Sequence, residues 1–141
     1  MVLSKNRKLF YAVILGYLIA FAAFQAEAAR GNLDRQFGAG GKTIAPVSGF
    51  EKFFDVAVQP DGKTVAVGYA SPVNGVSHFL VSRFNADGTP DASFGGSGRV
   101  VFPVSTLGDT AWAVALQSDG KIVVGGSAQN AENRSNFAIV R

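Results

Sequence analysis

The sequence predicts an all-β chain built from two tandem units, each a four-stranded antiparallel meander. Three observations carry that expectation. Blocks of sequence recur in order at an offset of 57 or 58 residues. Within the blocks, large and small side chains alternate with the period of a strand. Asp-Gly pairs sit between the alternating runs, where tight turns need a residue free to adopt positive φ. No stretch after residue 28 keeps a helical spacing of apolar residues over ten positions.

The first segment to account for is residues 1–28. Lys5, Arg7 and Lys8 precede an uncharged run from Leu9 to Phe24, and Ala26-Glu27-Ala28 follows as a small-x-small site. That order is the basic, apolar and cleavage regions of an export signal. The apolar run is 16 residues, shorter than the ~20 a bilayer span needs. The expectation is a signal helix cleaved after Ala28, with contact with the membrane only in transit. The product would be periplasmic, extracellular or at the cell surface. Of the 13 basic and 10 acidic residues, three and one belong to this segment. What remains is ten against nine, with no basic run, so a nucleic-acid footprint is not expected.

Residues 29–33 read as a short linker, 34–90 as the first unit and 91–141 as a second unit cut short. Asp34-Arg35-Gln36-Phe37-Gly38-Ala39-Gly40-Gly41-Lys42 returns as Asp91-Ala92-Ser93-Phe94-Gly95-Gly96-Ser97-Gly98-Arg99. Asp55-Val56-Ala57-Val58-Gln59-Pro60-Asp61-Gly62-Lys63 returns as Ala113-Val114-Ala115-Leu116-Gln117-Ser118-Asp119-Gly120-Lys121. Phe79-Leu80-Val81-Ser82-Arg83 returns as Phe137-Ala138-Ile139-Val140-Arg141, and Gly68 as Gly126.

The strands follow in order. Residues 42–47 and 99–104 are the first of each unit, 53–59 and 111–117 the second, 64–70 and 121–128 the third, and 78–84 and 136–141 the fourth. In the second strands, Phe54, Val56 and Val58 face one way, as do Trp112, Val114 and Leu116. The opposite side carries small residues, so both faces are expected to be covered. Gly62 and Gly120 are expected at positive φ.

The pattern Leu33-Asp34 with Phe37-Gly38 and Gly41-Lys42, followed by Val114-Ala115-Leu116-Gln117-Ser118-Asp119-Gly120-Lys121 and Gly126, resembles the delta-60 repeat family. The resemblance covers nearly all of residues 33–141. It implies exported bacterial proteins whose repeats form β-propeller-like blades, with no catalytic residues to carry over. Propellers close with about 4–8 blades. One full unit and one cut at Arg141 therefore point to a truncated array or gene fragment, or to chains that associate through open blade faces.

Candidate chemistry is sparse. There is no Cys and a single His, which removes thiolate nucleophiles, disulfides and Cys- or multi-His metal sites within one chain. Gly38-Ala39-Gly40-Gly41-Lys42-Thr43 ends like a phosphate loop, but Gln36 stands where the motif needs its first Gly. Asp61, Asp87 and Asp119 are expected to cap their own turns rather than hold calcium. His78 has no local Ser-His-Asp setting. Arg83 and Arg141, matched with Asp34 and Asp91, suggest an Arg–Asp pair tying a fourth strand to the loop between units. Phe37 and Phe94 are expected to plug the gap between blades. A carbohydrate platform on the aromatics would require their exposure. The expectation is no catalytic, cofactor or metal site, and a structural role for the repeated positions. The function expected is an interaction or surface scaffold with a protein or glycan partner. The alternative is a remnant of a propeller-type enzyme or ligand sensor acting on an extracellular substrate such as a glycan.

Overall fold

The computed structural model describes residues 31–45, 49–72 and 75–141. The expected signal helix and cleavage site lie outside the described residues. Two compact units separate at Lys42 and Thr43, and both sheets belong to the second.

The strands are β1 (Phe50–Val58), β2 (Thr64–Ser71), β3 (His78–Phe84), β4 (Arg99–Phe102), β5 (Asp109–Leu116), β6 (Ile122–Gln129) and β7 (Ser135–Val140). They form a four-stranded sheet in the order β1-β2-β3-β4 and a three-stranded sheet β5-β6-β7, antiparallel throughout. The all-β expectation holds, and the described residues contain no helix, hence none long and apolar enough to cross a membrane.

The turns form as their sequences dictate. Gly62 and Gly120 both sit at φ +82°, and their N–H groups donate to Gln59 O and Gln117 O at 2.9 Å. Each turn is followed by a narrow pair, Gln59 N to Lys63 O and Gln117 N to Lys121 O. Pro60 supplies a fixed φ in the first turn, and Ser118 shows that the geometry survives without it.

Two expectations change. The strand over residues 99–104 shortens to β4, which pairs with β3 rather than opening the second sheet. Sheets are therefore offset from sequence repeats: the first sheet takes its last strand from the start of the second repeat. Residues 43–45, counterparts of that strand, form none, and 46–47 lie outside the described residues.

The second change concerns the faces. β1 and β5 each carry a bulge at matched positions, between Phe53 and Asp55 and between Ala111 and Ala113. The extra residue shifts the alternation by one. Trp112 is thus thrown out of phase with Val114 and Leu116; it is 51% exposed while those two pack on the core. Val56 and Val58 are exposed, so the expectation that both faces are covered fails for β1.

One face of the first sheet packs on the second. Val65 and Val67 of β2 and Phe79 and Val81 of β3 meet Ala111 of β5 and Val124 of β6. β5 packs against β1, β2 and β3. Small residues permit the approach. A Cβ on Gly126 would lie 2.3 Å from Thr110 O and 2.5 Å from the tip of Phe79, so only Gly fits.

Candidate functional site

The recurring polar residues converge on the junction between sheets. Arg83 closes β3 and reaches Asp91, its Nε donating to Oδ2 at 2.7 Å. Lys63 Nζ donates to the same oxygen at 2.9 Å. Ser93 donates its hydroxyl and N–H to Oδ1. Asp91 is buried, and its carboxyl is held well below the usual carboxylate range, first by the Ser93 hydroxyl and then by Lys63, with Arg83 adding a smaller share. The backbone doubles the attachment: Asp91 N donates to Arg83 O and Arg83 N to Gly98 O. Gly95 and Gly98 at φ +61° and +84° shape the loop. Phe94 lies in it, packed against the core with the Arg83 guanidinium 4.7 Å from its ring centroid. The expected Arg–Asp pair is therefore present, and Phe94 packs against the core without filling the space between the sheets.

A second carboxylate does comparable work at the opposite end of the strands. Asp109 is buried and accepts Phe79 N at 2.5 Å, and Val104 N and Ser105 N at 3.0 Å each. It ties the start of β3 to the loop that leads into β5. Asp55, in the β1 bulge, accepts Val114 N from β5 at 2.8 Å. Glu51 pairs with Arg99 across the first sheet. Asp109, Asp55, Glu51 and Lys63 do not stand out in the sequence as members of this junction. One signal was available, since Glu51 and Asp109 are repeat counterparts and both acidic.

The turn aspartates cap their own turns. Asp61 accepts Lys63 N, Asp87 accepts Thr89 N and hydroxyl, and Asp119 accepts Lys121 N. Thr89 lowers the Asp87 pKa, and Lys121 that of Asp119. Among the described residues no group of three or more His, Asp or Glu side chains could hold a metal ion. His78 Nδ1 lies 3.4 Å from Asp109 Oδ2. That carboxylate is already engaged by three backbone N–H groups, and among the described residues no serine hydroxyl bonds the ring.

In the first unit, residues 34–41 fold into the same hydrogen-bonded loop as 91–98. Phe37 N donates to Asp34 O as Phe94 N does to Asp91 O, and Gly41 N to Phe37 O as Gly98 N does to Phe94 O. Gly38 and Gly41 have φ +56° and +88°. Among the described residues no helix follows Lys42, so the phosphate-loop likeness has no helix end behind it.

Three surfaces remain open. A cavity of about 410 Å³ lies between the sheets, walled by Phe94, Phe102, Ile122 and Val140, with Lys121 and Arg141 at its rim. The bulge aromatics form a second feature. Phe54 and Trp112, counterparts in the repeat, form a tilted pair at 4.5 Å between centroids, with Tyr69 6.0 Å from Phe54. The third is the outer face of the second sheet. Phe79 and Val81 are 0% and 5% exposed, whereas their counterparts Phe137 and Ile139 are 79% and 64% exposed.

Residues 59–94 and 117–141 match a family model described as a domain of unknown function (DUF5122) beta-propeller. The two matched segments begin at repeat counterparts, Gln59 and Gln117, and take in β2 and β3 of one sheet and β6 and β7 of the other, consistent with β-propeller-like repeats. No curated protein and no solved structure matches the chain.

Proposed function

We propose, from β-propeller-like repeats as the premise, that this chain is an exported, non-enzymatic interaction scaffold of the delta-60 type. The observation that carries the reading is how the polar groups are spent. Asp91, Arg83, Lys63, Asp109 and Asp55 all bind strand or loop partners within the junction. What is left exposed is sheet face and aromatic surface, which suits binding of a partner rather than acid–base chemistry. Export rests on the basic, apolar and Ala26-Glu27-Ala28 order of residues 1–28. The test is cell fractionation with amino-terminal sequencing, expecting a product outside the cytoplasm that begins at Ala29. Met1 on the recovered product would remove the export half.

A second reading is favoured by Trp112. It is half exposed, packed at a tilt against Phe54, and donates Nε1–H to Ser127 Oγ at 3.0 Å. An indole face beside polar groups can stack on a sugar ring, so a glycan is the alternative ligand class. Trp112 is the chain's single Trp, so its fluorescence reports directly. Titration with neutral hexasaccharides should shift that emission if a glycan binds. No shift with any of them argues for a protein partner.

A further inference from the structure

We propose that a second copy of this chain docks head to tail, laying its residues 34–45 along the free edge of β7. This deepens the scaffold reading by naming one partner, and its test does not depend on export or on glycan binding.

The chain displays the junction once, complete. The 91–98 loop is clamped by Arg83 and Lys63 on Asp91, and β4 then pairs with β3, Phe102 opposite Phe79 and Val101 opposite Leu80. β5 follows, laying Ala111 and Val114 over Phe79 and Val81. At β7 the edge, the apolar face and the basic residues of that junction recur, with the Lys121 ammonium paired to its own Asp119. Among the described residues no strand pairs with its outer edge. Phe137 and Ile139 stand bare where Phe79 and Val81 are covered. Arg141 and Lys121 occupy the places of Arg83 and Lys63.

The incoming half is at the other end of the same chain. Residues 34–41 already hold the loop shape of 91–98, with Asp34 exposed at the Asp91 position. Thr43, Ile44 and Ala45 form no strand, and Ile44 is 91% exposed. Their counterparts are Val100, Val101 and Phe102. Phe53, Val56 and Val58 on β1, all exposed, are counterparts of Ala111, Val114 and Leu116. Transferring the known register places Ala45 of the second copy opposite Phe137 and Ile44 opposite Ala138. Its Asp34 meets Arg141 and Lys121, opposite in charge. Its Phe53, Val56 and Val58 then cover Phe137 and Ile139. One contact does not carry over, since Ala113 stands where Asp55 accepts the Val114 N–H. Its loss orphans nothing, because Val56 N in the second copy is already bonded to its own Asp55 Oδ1 at 2.9 Å. Such a contact joins unlike surfaces, so it builds a ring or a filament rather than a two-fold dimer.

The test is sedimentation of the full chain over a concentration series, with Asp34→Arg, Arg141→Asp and the double variant. Both side chains are exposed, so circular dichroism should show the fold intact in all three. Each single reversal should weaken association about tenfold or more, and the double should restore it to near the parent value. Rings and filaments both support the proposal. A monomer at every concentration overturns it. So does association indifferent to the single reversals, or a double variant as weak as either single.

Discussion

Gly68 and Gly126 face the two bulges, and the reason they must be Gly is steric. A Cβ on Gly68 would lie 1.7 Å from Lys52 O, and one on Gly126 would strike Thr110 O. Gly68→Ala or Gly126→Ala should each destabilise the chain by about 1–3 kcal/mol, read from urea unfolding. An unchanged midpoint would mean the bulges are absent. Gly120→Val acts through φ alone and Gly62→Val through φ with a tight approach to the Ala86 Cβ, and about 1–2 kcal/mol is expected for each. Asp91 sets an acid limit. Its pKa is depressed in the fold, so its contribution is complete above the ordinary carboxylate pKa of about 4 and is lost as pH falls below it. The urea midpoint should drop between about pH 5 and pH 3, and Asp91→Asn should lower the pH 5 value and flatten the drop. An equal slope in that variant would assign the acid sensitivity elsewhere. At this scale the matched Arg83 and Asp91 were legible because repetition pairs them at fixed spacing. Lys63 was not, because a Lys after an Asp-Gly turn reads as solvated.

Among the elements, strand ends next to Asp-Gly turns were legible within a residue, since turn chemistry fixes them, whereas the far ends of β1 and β5 begin three and two residues early. β3 spans the expected 78–84, and β2, β6 and β7 fall within a residue or so of expectation. What period-two alternation could not reveal was the bulge. Phe53-Phe54 and Ala111-Trp112-Ala113 are apolar on either phase, so the shift leaves no mark on the strand that carries it. The mark is on the facing strand, as Gly68 and Gly126. The partner of β4 was hidden for another reason. A repeat has no fixed starting point in sequence, and only pairing reveals that residues 99–102 complete the sheet before them. Asp109 holds this arrangement by accepting three backbone N–H groups from two elements. Asp109→Ala would leave buried donors without partners, and a loss of about 3 kcal/mol or more is expected by thermal or urea unfolding. A loss under about 1 kcal/mol would show that the loop before β5 does not depend on it.

At the scale of the whole molecule, identical sequence positions have unlike surroundings. Phe79 and Val81 are enclosed by the next sheet; Phe137 and Ile139, 58 residues on, face solvent. Each large apolar side chain left uncovered forgoes about 1.5–3 kcal/mol, which is considerable beside a small domain's stability of ~5–15 kcal/mol. Phe137→Ser with Ile139→Thr should therefore reduce association in light scattering while leaving the unfolding midpoint nearly unchanged. A large fall in the midpoint would mean these side chains already have partners within the chain. The open face was foreseeable in kind, because two repeats cannot cover each other's outer sides. Its location was not, since the bulges decide which residues point outward.

Hydrogen exchange on the full chain at low concentration compares the two positions directly. The two sheets are matched in sequence, with one junction filled and its counterpart open. The expected result is strong protection at Phe79–Val81, weak protection at Phe137–Ile139, and a rise at the second site alone as concentration increases. Equal protection of both segments in dilute solution, or rapid exchange at Phe79–Val81, would contradict the packing of one sheet on the other.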